Sequence, residues 1–75
     1  SKVRIYPNPS SKFIVVDSTY DTEIQSLSLI SLSGKTLQVT NSNKMAFYSR
    51  IQKGFYLLRI ELTNKRLVYK QIIIE

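Results

Sequence analysis

The 75-residue chain has no cysteine and no histidine, and it has only two glycines and two prolines. Without cysteine, neither a disulfide nor a thiolate metal site can form. Without histidine, the chain lacks the commonest general base and the commonest metal ligand. Phosphate-binding loops need several glycines and a following helix, and neither is found. We therefore expect no enzyme, no cofactor, and no catalytic, cofactor-binding or metal residues.

Long apolar runs are also missing from the chain. No run approaches the length of a membrane span, and no basic start precedes an apolar segment as in a secretory signal peptide. The hydrophobic fraction is 43%, which is enough to build a core. The chain opens with Ser1 rather than methionine. We expect residues 1–75 to form a single domain excised from a larger protein.

The apolar positions recur at period two in runs rich in β-branched and aromatic residues, which predicts strands. Their spacing is typical of a small sandwich or barrel. About seven strands are predicted, over Val3–Tyr6, Phe13–Asp17, Ser26–Leu32, Thr36–Thr40, Lys44–Tyr48, Phe55–Leu62 and Arg66–Ile74. The sequence therefore predicts an all-β antiparallel sandwich.

The strand that follows Gly54 has the clearest alternation. Its core face is predicted to carry Tyr56, Leu58, Ile60 and Leu62. The last strand has no clearly polar face, which indicates either a bulge, burial on both faces near its end, or contact of its isoleucines with another molecule.

Two hairpin turns can be assigned from residue type. Ser31-Leu32-Ser33-Gly34 predicts a type I turn that closes into a left-handed glycine. Thr63-Asn64-Lys65 predicts a turn between the last two strands, with Asn64 tolerant of positive φ. Because the chain has so few glycines, Gly34 and Gly54 are both expected to hold conformations that other residues resist.

The charge of +6 raises the possibility of nucleic-acid binding. The eleven lysines and arginines are spread over nearly every strand and turn, however, which is typical of a solvated surface that discourages edge-to-edge association. No nucleic-acid partner is expected. Asp17, Asp21 and Glu23 are near enough in sequence to suggest calcium, but charged turn residues are the simpler interpretation.

Aromatic residues leave a second function open. Small sandwiches often serve in adhesion or carbohydrate binding, where aromatic side chains share one exposed surface, and Tyr20, Tyr48 and Tyr69 are the candidates.

Both prolines lie in the stretch Tyr6-Pro7-Asn8-Pro9, directly after the first apolar run. Proline fixes φ and has no amide donor, so this stretch ends a strand. The residue before each proline is held in extended conformations. A stiff, extended corner is predicted there.

Four short motifs follow one another along the whole chain. They are Ile5-Tyr6-Pro7-Asn8-Pro9, Leu27-x-Leu29-Ile30-Ser31-x-x-Gly34, the run from Ile51 through Gly54-Phe55-Tyr56 to Ile60, and Lys70-Gln71-Ile72-Ile73-Ile74. In this order and spacing they resemble the C-terminal sorting domain of type IX secretion cargo from Bacteroidetes. The chain departs from the family pattern at Glu75, where many members carry a basic residue.

The resemblance implies an immunoglobulin-like sandwich of seven strands that directs cargo through the periplasm to the cell surface or medium. It implies recognition by the type IX outer-membrane translocon and its shuttle proteins, a parent cargo domain on the N-terminal side, and often removal by a sortase-like cysteine protease. Self-association is left open. By position, the recognition motifs are Pro7, Asn8, Pro9, Gly54, Tyr56, Lys70, Gln71, Ile72, Ile73 and Ile74. Of these, only the terminal run is expected to favour direct contact over packing, since an apolar end strand can add to a partner's sheet edge.

Overall fold

Seven strands account for the regular structure of the protein, which a computed structural model describes over residues 3–18 and 23–75. The strands are β1 Val3–Tyr6, β2 Phe13–Ser18, β3 Ile24–Ser31, β4 Thr36–Thr40, β5 Lys44–Ala46, β6 Gly54–Leu62 and β7 Leu67–Ile74. Each predicted strand is therefore present. The main differences are at β3, which begins two residues earlier and excludes Leu32, and at β5, which ends before Phe47 and Tyr48.

The strands form two antiparallel sheets, one ordered β1-β2-β5 and the other β4-β3-β6-β7. Each sheet contains a strand pair that is distant in sequence, β2 with β5 and β3 with β6, as in immunoglobulin-like sandwiches. The expected all-β sandwich is confirmed. The edge strands of the second sheet are β4 and β7.

The inner faces of both sheets form one hydrophobic core. Strand β6 alternates as predicted, with Tyr56, Leu58, Ile60 and Leu62 all buried. The opposite sheet contributes side chains such as Ile14, which is fully buried. Period-two alternation works here because each sheet has one face against the core and one against solvent.

The predicted bulge is not in the last strand. Strand β7 pairs with β6 in unbroken register from Leu67 to Ile74, while the register shifts occur in β3. One of them, between Leu29 and Ile30, explains why the alternation in β3 breaks after Leu29. The weak polarity contrast of β7 comes from another of the predicted causes, burial on both faces near its end: Ile72 and Ile74 are buried on the inner face, and Ile73 is half-buried on the outer one.

The two hairpin turns share one backbone pattern. At the first, Gly34 N–H donates to Ser31 C=O over 2.9 Å and Gly34 has φ +93°, as predicted. At the second, Lys65 N–H donates to Leu62 C=O, and Lys65 rather than Asn64 takes the positive φ, at 70°. The Asn64 side chain caps this turn by accepting from Arg66 N–H at 3.0 Å.

Candidate functional site

Three of the sequence motifs meet at one end of β7. Gly54 pairs with Ile74 and Tyr56 with Ile72 across the β6–β7 ladder. On the other side of β7, the proline motif lies along the outer edge of the strand through Asn8. The fold therefore brings together residues that are more than sixty positions apart in the chain.

The Asn8 side chain contacts β7 as a short strand would. Ile73 N–H donates to Asn8 Oδ1 over 3.2 Å, and Asn8 Nδ2 lies 3.5 Å from Gln71 C=O, at the long limit of such a bond. An amide carries a donor and an acceptor side by side, so it can serve two neighbouring backbone groups of an edge strand. Proline on each side of Asn8 holds φ fixed at residues 7 and 9. Both bonds to proline nitrogen, Tyr6-Pro7 and Asn8-Pro9, are cis.

Ser10 continues this contact, although the sequence analysis did not single it out. Its backbone forms a parallel bridge with Ile74: Ser10 N–H donates to Ile73 C=O at 2.8 Å, and Glu75 N–H donates to Ser10 C=O at 2.6 Å. Its side chain is buried, and the hydroxyl donates to Pro7 C=O. The sequence could have indicated this role, because the hydroxyl of a serine three residues after the first proline of such a turn can close the turn.

Tyr56 sits at the entrance to β6, where its ring is buried and its hydroxyl donates to Gln52 C=O at 2.5 Å. A tyrosine near the start of this strand, bonded to the backbone a few residues upstream, is the corner found in immunoglobulin-like domains. Gly54 begins the same strand with φ +147°, a value that side chains rarely tolerate, although no atom lies within 4 Å of a Cβ placed there. Both residues thus have clear architectural roles.

The side chains of the terminal run point to opposite faces of the sheet. Ile72 and Ile74 are in the core, at 0% and 4% exposure. Gln71 is exposed, and Ile73 is half-buried on the outer face. Lys70 is half-buried at an inward-facing register position, opposite Leu58. Only the outward-facing members can present their side chains to another molecule without unfolding of the strand.

The outer face beside Gln71 and Ile73 is largely apolar. Ile73 lies directly opposite Phe55, which is 54% exposed, and Gln71 lies opposite the half-buried Leu57. Ile30 on β3 is opposite Leu57 on the other side, so these side chains occupy adjacent positions on three strands. We call this set, Ile30, Phe55, Leu57 and Ile73, the outer apolar patch.

Two of the three aromatic residues considered for carbohydrate binding, Tyr48 and Tyr69, are described by the structure, and they lie at opposite edges of one sheet. Tyr69 projects from β7, whereas the Tyr48 N–H bonds at 3.2 Å to Gln38 on β4, the opposite edge of the same sheet. Arg50 lies over the Tyr48 ring, 5.0 Å from its centroid. Tyr20 lies outside the described residues. Gln38 is a further residue that the sequence analysis missed: it is buried and also donates to Ala46 C=O at 2.6 Å, so it joins β4 to the segment that follows β5.

Two of the three acidic residues considered for calcium, Asp17 and Glu23, lie within the described part of the chain. Asp17 is on β2, directly opposite Arg4, with the two side chains 3.7 Å apart. Asp21 lies outside the described residues, and Glu23 precedes β3. Over residues 3–18 and 23–75, no group of three acidic, histidine or cysteine side chains could hold a metal ion.

The described part of the chain contains no helix that is long and apolar enough to cross a membrane. A family model described as a secretion system C-terminal sorting domain matches residues 4–75. No curated protein matches the chain. The match covers every motif described above and, apart from Val3, all residues of the seven described strands.

Proposed function

The chain belongs to the family of type IX secretion C-terminal sorting domains, and we propose that it acts as a folded export signal that the outer-membrane translocon recognises. Sorting domains of this family are non-catalytic, and their signal implies export of a larger cargo protein to the cell surface or medium. The observation that carries the proposal is the family match over residues 4–75, which contains the convergent motifs.

The proposed export route of the cargo protein involves the cargo domain, a shuttle component and a protease. The cargo domain precedes this domain in the parent chain and travels with it through the periplasm. A shuttle component of the translocon binds the folded sandwich, and a sortase-like cysteine protease then removes it. Two facts support recognition in the folded state: the motifs meet only in the sandwich, and two of the five residues of the terminal run, Ile72 and Ile74, are buried there.

We propose that the contact surface includes the outward-facing part of the terminal run, Gln71 and Ile73, together with the adjoining Phe55. Exposed apolar residues beside a polar rim are typical of protein interaction surfaces. Pro7, Asn8, Pro9, Gly54, Tyr56 and Lys70 would contribute by holding β7 in position, and Ile72 and Ile74 by anchoring it in the core.

The first test is transport of a reporter. A periplasm-targeted fluorescent protein carrying these 75 residues at its C-terminus is expected to reach the surface or medium of a type IX-competent bacterium. The signal should disappear when the translocon is disabled. Retention of the folded fusion in the periplasm would contradict the proposed function.

The residue-level test replaces Phe55 and Ile73 with serine and threonine, respectively. Both positions lie on the outer face, so the variant should stay folded and lose export. Val39→Ser is the matched control, because Val39 is equally exposed but lies on β4, at the opposite edge of the sheet. Equal export of both variants would show that the outer apolar patch is not read.

Deleting residues 70–75 is a poorer test than the sequence suggested. If the terminal run were exposed to a partner, as its sequence predicts, a sandwich that lacks residues 70–75 would stay folded. The deletion would remove Ile72 and Ile74 from the core, and losing one large aliphatic side chain already costs about 2–5 kcal/mol. We therefore expect the truncated domain to unfold, so that lost export would carry no information about recognition.

A further inference from the structure

The outer edge of β7 is divided into a closed half and an open half. In the closed half, Asn8 and Ser10 occupy Gln71 C=O, both backbone groups of Ile73, and Glu75 N–H. The open half comprises the outward backbone groups of Leu67 and Tyr69 and the N–H of Gln71. Among the described residues, none of these groups has a hydrogen-bond partner.

The register of the hairpin determines which groups face outward. Leu62 N–H donates to Arg66 C=O, so the ladder bonds of β7 fall on the even-numbered residues from this pair onward. The odd-numbered residues turn their N–H and C=O away from β6. The contacts of Ile73 with Asn8 and Ser10 agree with this parity. Tyr69 therefore presents both a donor and an acceptor at an open sheet edge.

An exposed edge of this kind can accept a further strand. The side chains at this edge can contact an added strand, because Tyr69 is 54% exposed and Leu67 is 43% exposed. Basic groups lie beside them: Arg59 is directly opposite Tyr69, and Lys65 lies in the adjoining turn. Glu61, opposite Leu67, accepts a bond from Ser26 Oγ at 3.3 Å.

Building on the proposed function, we propose that the open half-edge, residues 67–71, pairs with an extended acidic segment of a translocon protein. Backbone hydrogen bonds from Tyr69 and Gln71 would hold the segment, and the surrounding lysine and arginine would select its charge. A second copy of this domain is a poor occupant, since each copy carries a net charge of +6.

A proline substitution separates backbone pairing from side-chain contact. Tyr69→Pro removes an N–H that points away from β6, so the ladder of the domain is retained. Tyr69→Thr also removes the ring but keeps the N–H and suits a strand. Both variants should remain folded by thermal unfolding. In the reporter assay, export should fall about tenfold further for proline than for threonine, which corresponds to ~1.4 kcal/mol.

Equal export of the two variants, with both folded, would overturn the inference while leaving the proposed function intact. Retention of the wild-type reporter would overturn both. Sedimentation experiments compare the wild-type domain with Tyr69→Pro. If the wild type self-associated and the proline variant did not, the occupant would be a second copy and the acidic partner would be refuted.

The charge preference has its own matched pair of variants. Arg59→Gln combined with Lys65→Gln should reduce export, whereas Lys35→Gln combined with Lys44→Gln should not, because Lys35 lies directly before β4, at the opposite edge of the sheet, and Lys44 is on β5 of the other sheet. Equal effects would refute the acidic character of the partner. Amide hydrogen exchange of the isolated domain completes the test: Tyr69 should exchange rapidly and Ile73 slowly, and a protected Tyr69 amide would show that the edge is not open.

Discussion

Replacing Asn8 with alanine removes the side-chain contacts between the proline motif and the terminal strand. A typical intramolecular hydrogen bond contributes about 0.5–1.5 kcal/mol net. The bond from Ile73 N–H is 3.2 Å long, the contact with Gln71 C=O is 3.5 Å, and Asn8 is exposed, so the lower part of that range applies to each. We expect Asn8→Ala to lower the free energy of unfolding by about 1 kcal/mol.

Two measurements check this prediction. A loss of ~1 kcal/mol lowers Tm by about 4–8 °C in a domain of this size. In amide hydrogen exchange, Ile73 should lose protection, while Ile72, which is bonded into the β6 ladder, should keep protection up to the new global limit.

Asn8→Asp is the matched control, because aspartate keeps the acceptor for Ile73 N–H and loses the donor to Gln71 C=O. Its stability should fall between those of the wild type and Asn8→Ala. Unchanged stability and unchanged Ile73 protection in Asn8→Ala would refute the assigned role of Asn8. An aspartate variant as unstable as the alanine variant would show that the Ile73 bond contributes little.

Two further predictions concern the turns and the corner. Tyr56→Phe should lower the free energy of unfolding by about 1 kcal/mol in denaturant titration, since it removes the bond to Gln52 C=O but leaves the buried ring; no change would show that this bond adds nothing. Gly34→Ala should lower the free energy of unfolding by about 1 kcal/mol because of the positive φ alone, since nothing lies within 4 Å of the added Cβ. Lys65→Gly should leave the free energy of unfolding unchanged or raise it by up to ~1 kcal/mol, because Lys65 already has a positive φ. Destabilisation by both would contradict the shared turn geometry.

Much of the fold could be predicted from local pattern. Alternation at period two located every strand, and the core face of β6 followed directly from Tyr56 and the residues at even spacing after it. Gly34 was identifiable because a left-handed position strongly favours glycine. Lys65 was not, because its positive φ follows from the hairpin around it and not from its own preference.

The candidate site could be predicted only as separate motifs. Pro7, Asn8 and Pro9 marked a stiff corner, and Lys70 to Ile74 marked an unusual strand, but nothing in either stretch indicates contact with the other. That contact spans 65 positions and depends on the order of strands in two sheets. The role of Ser10 and the burial of Ile72 and Ile74 depend on the same strand order.

The sequence by itself determined the strands, the sandwich class and the family, because these depend on short-range periodicity and on motifs in order along the chain. Only the tertiary structure decided which half of the β7 edge is closed by Asn8 and Ser10, and which half, around Tyr69, stays open. The physical reason is that an edge is defined by hydrogen bonds between distant segments, and each residue's local preference is the same whether its neighbour is a strand, a side chain or water.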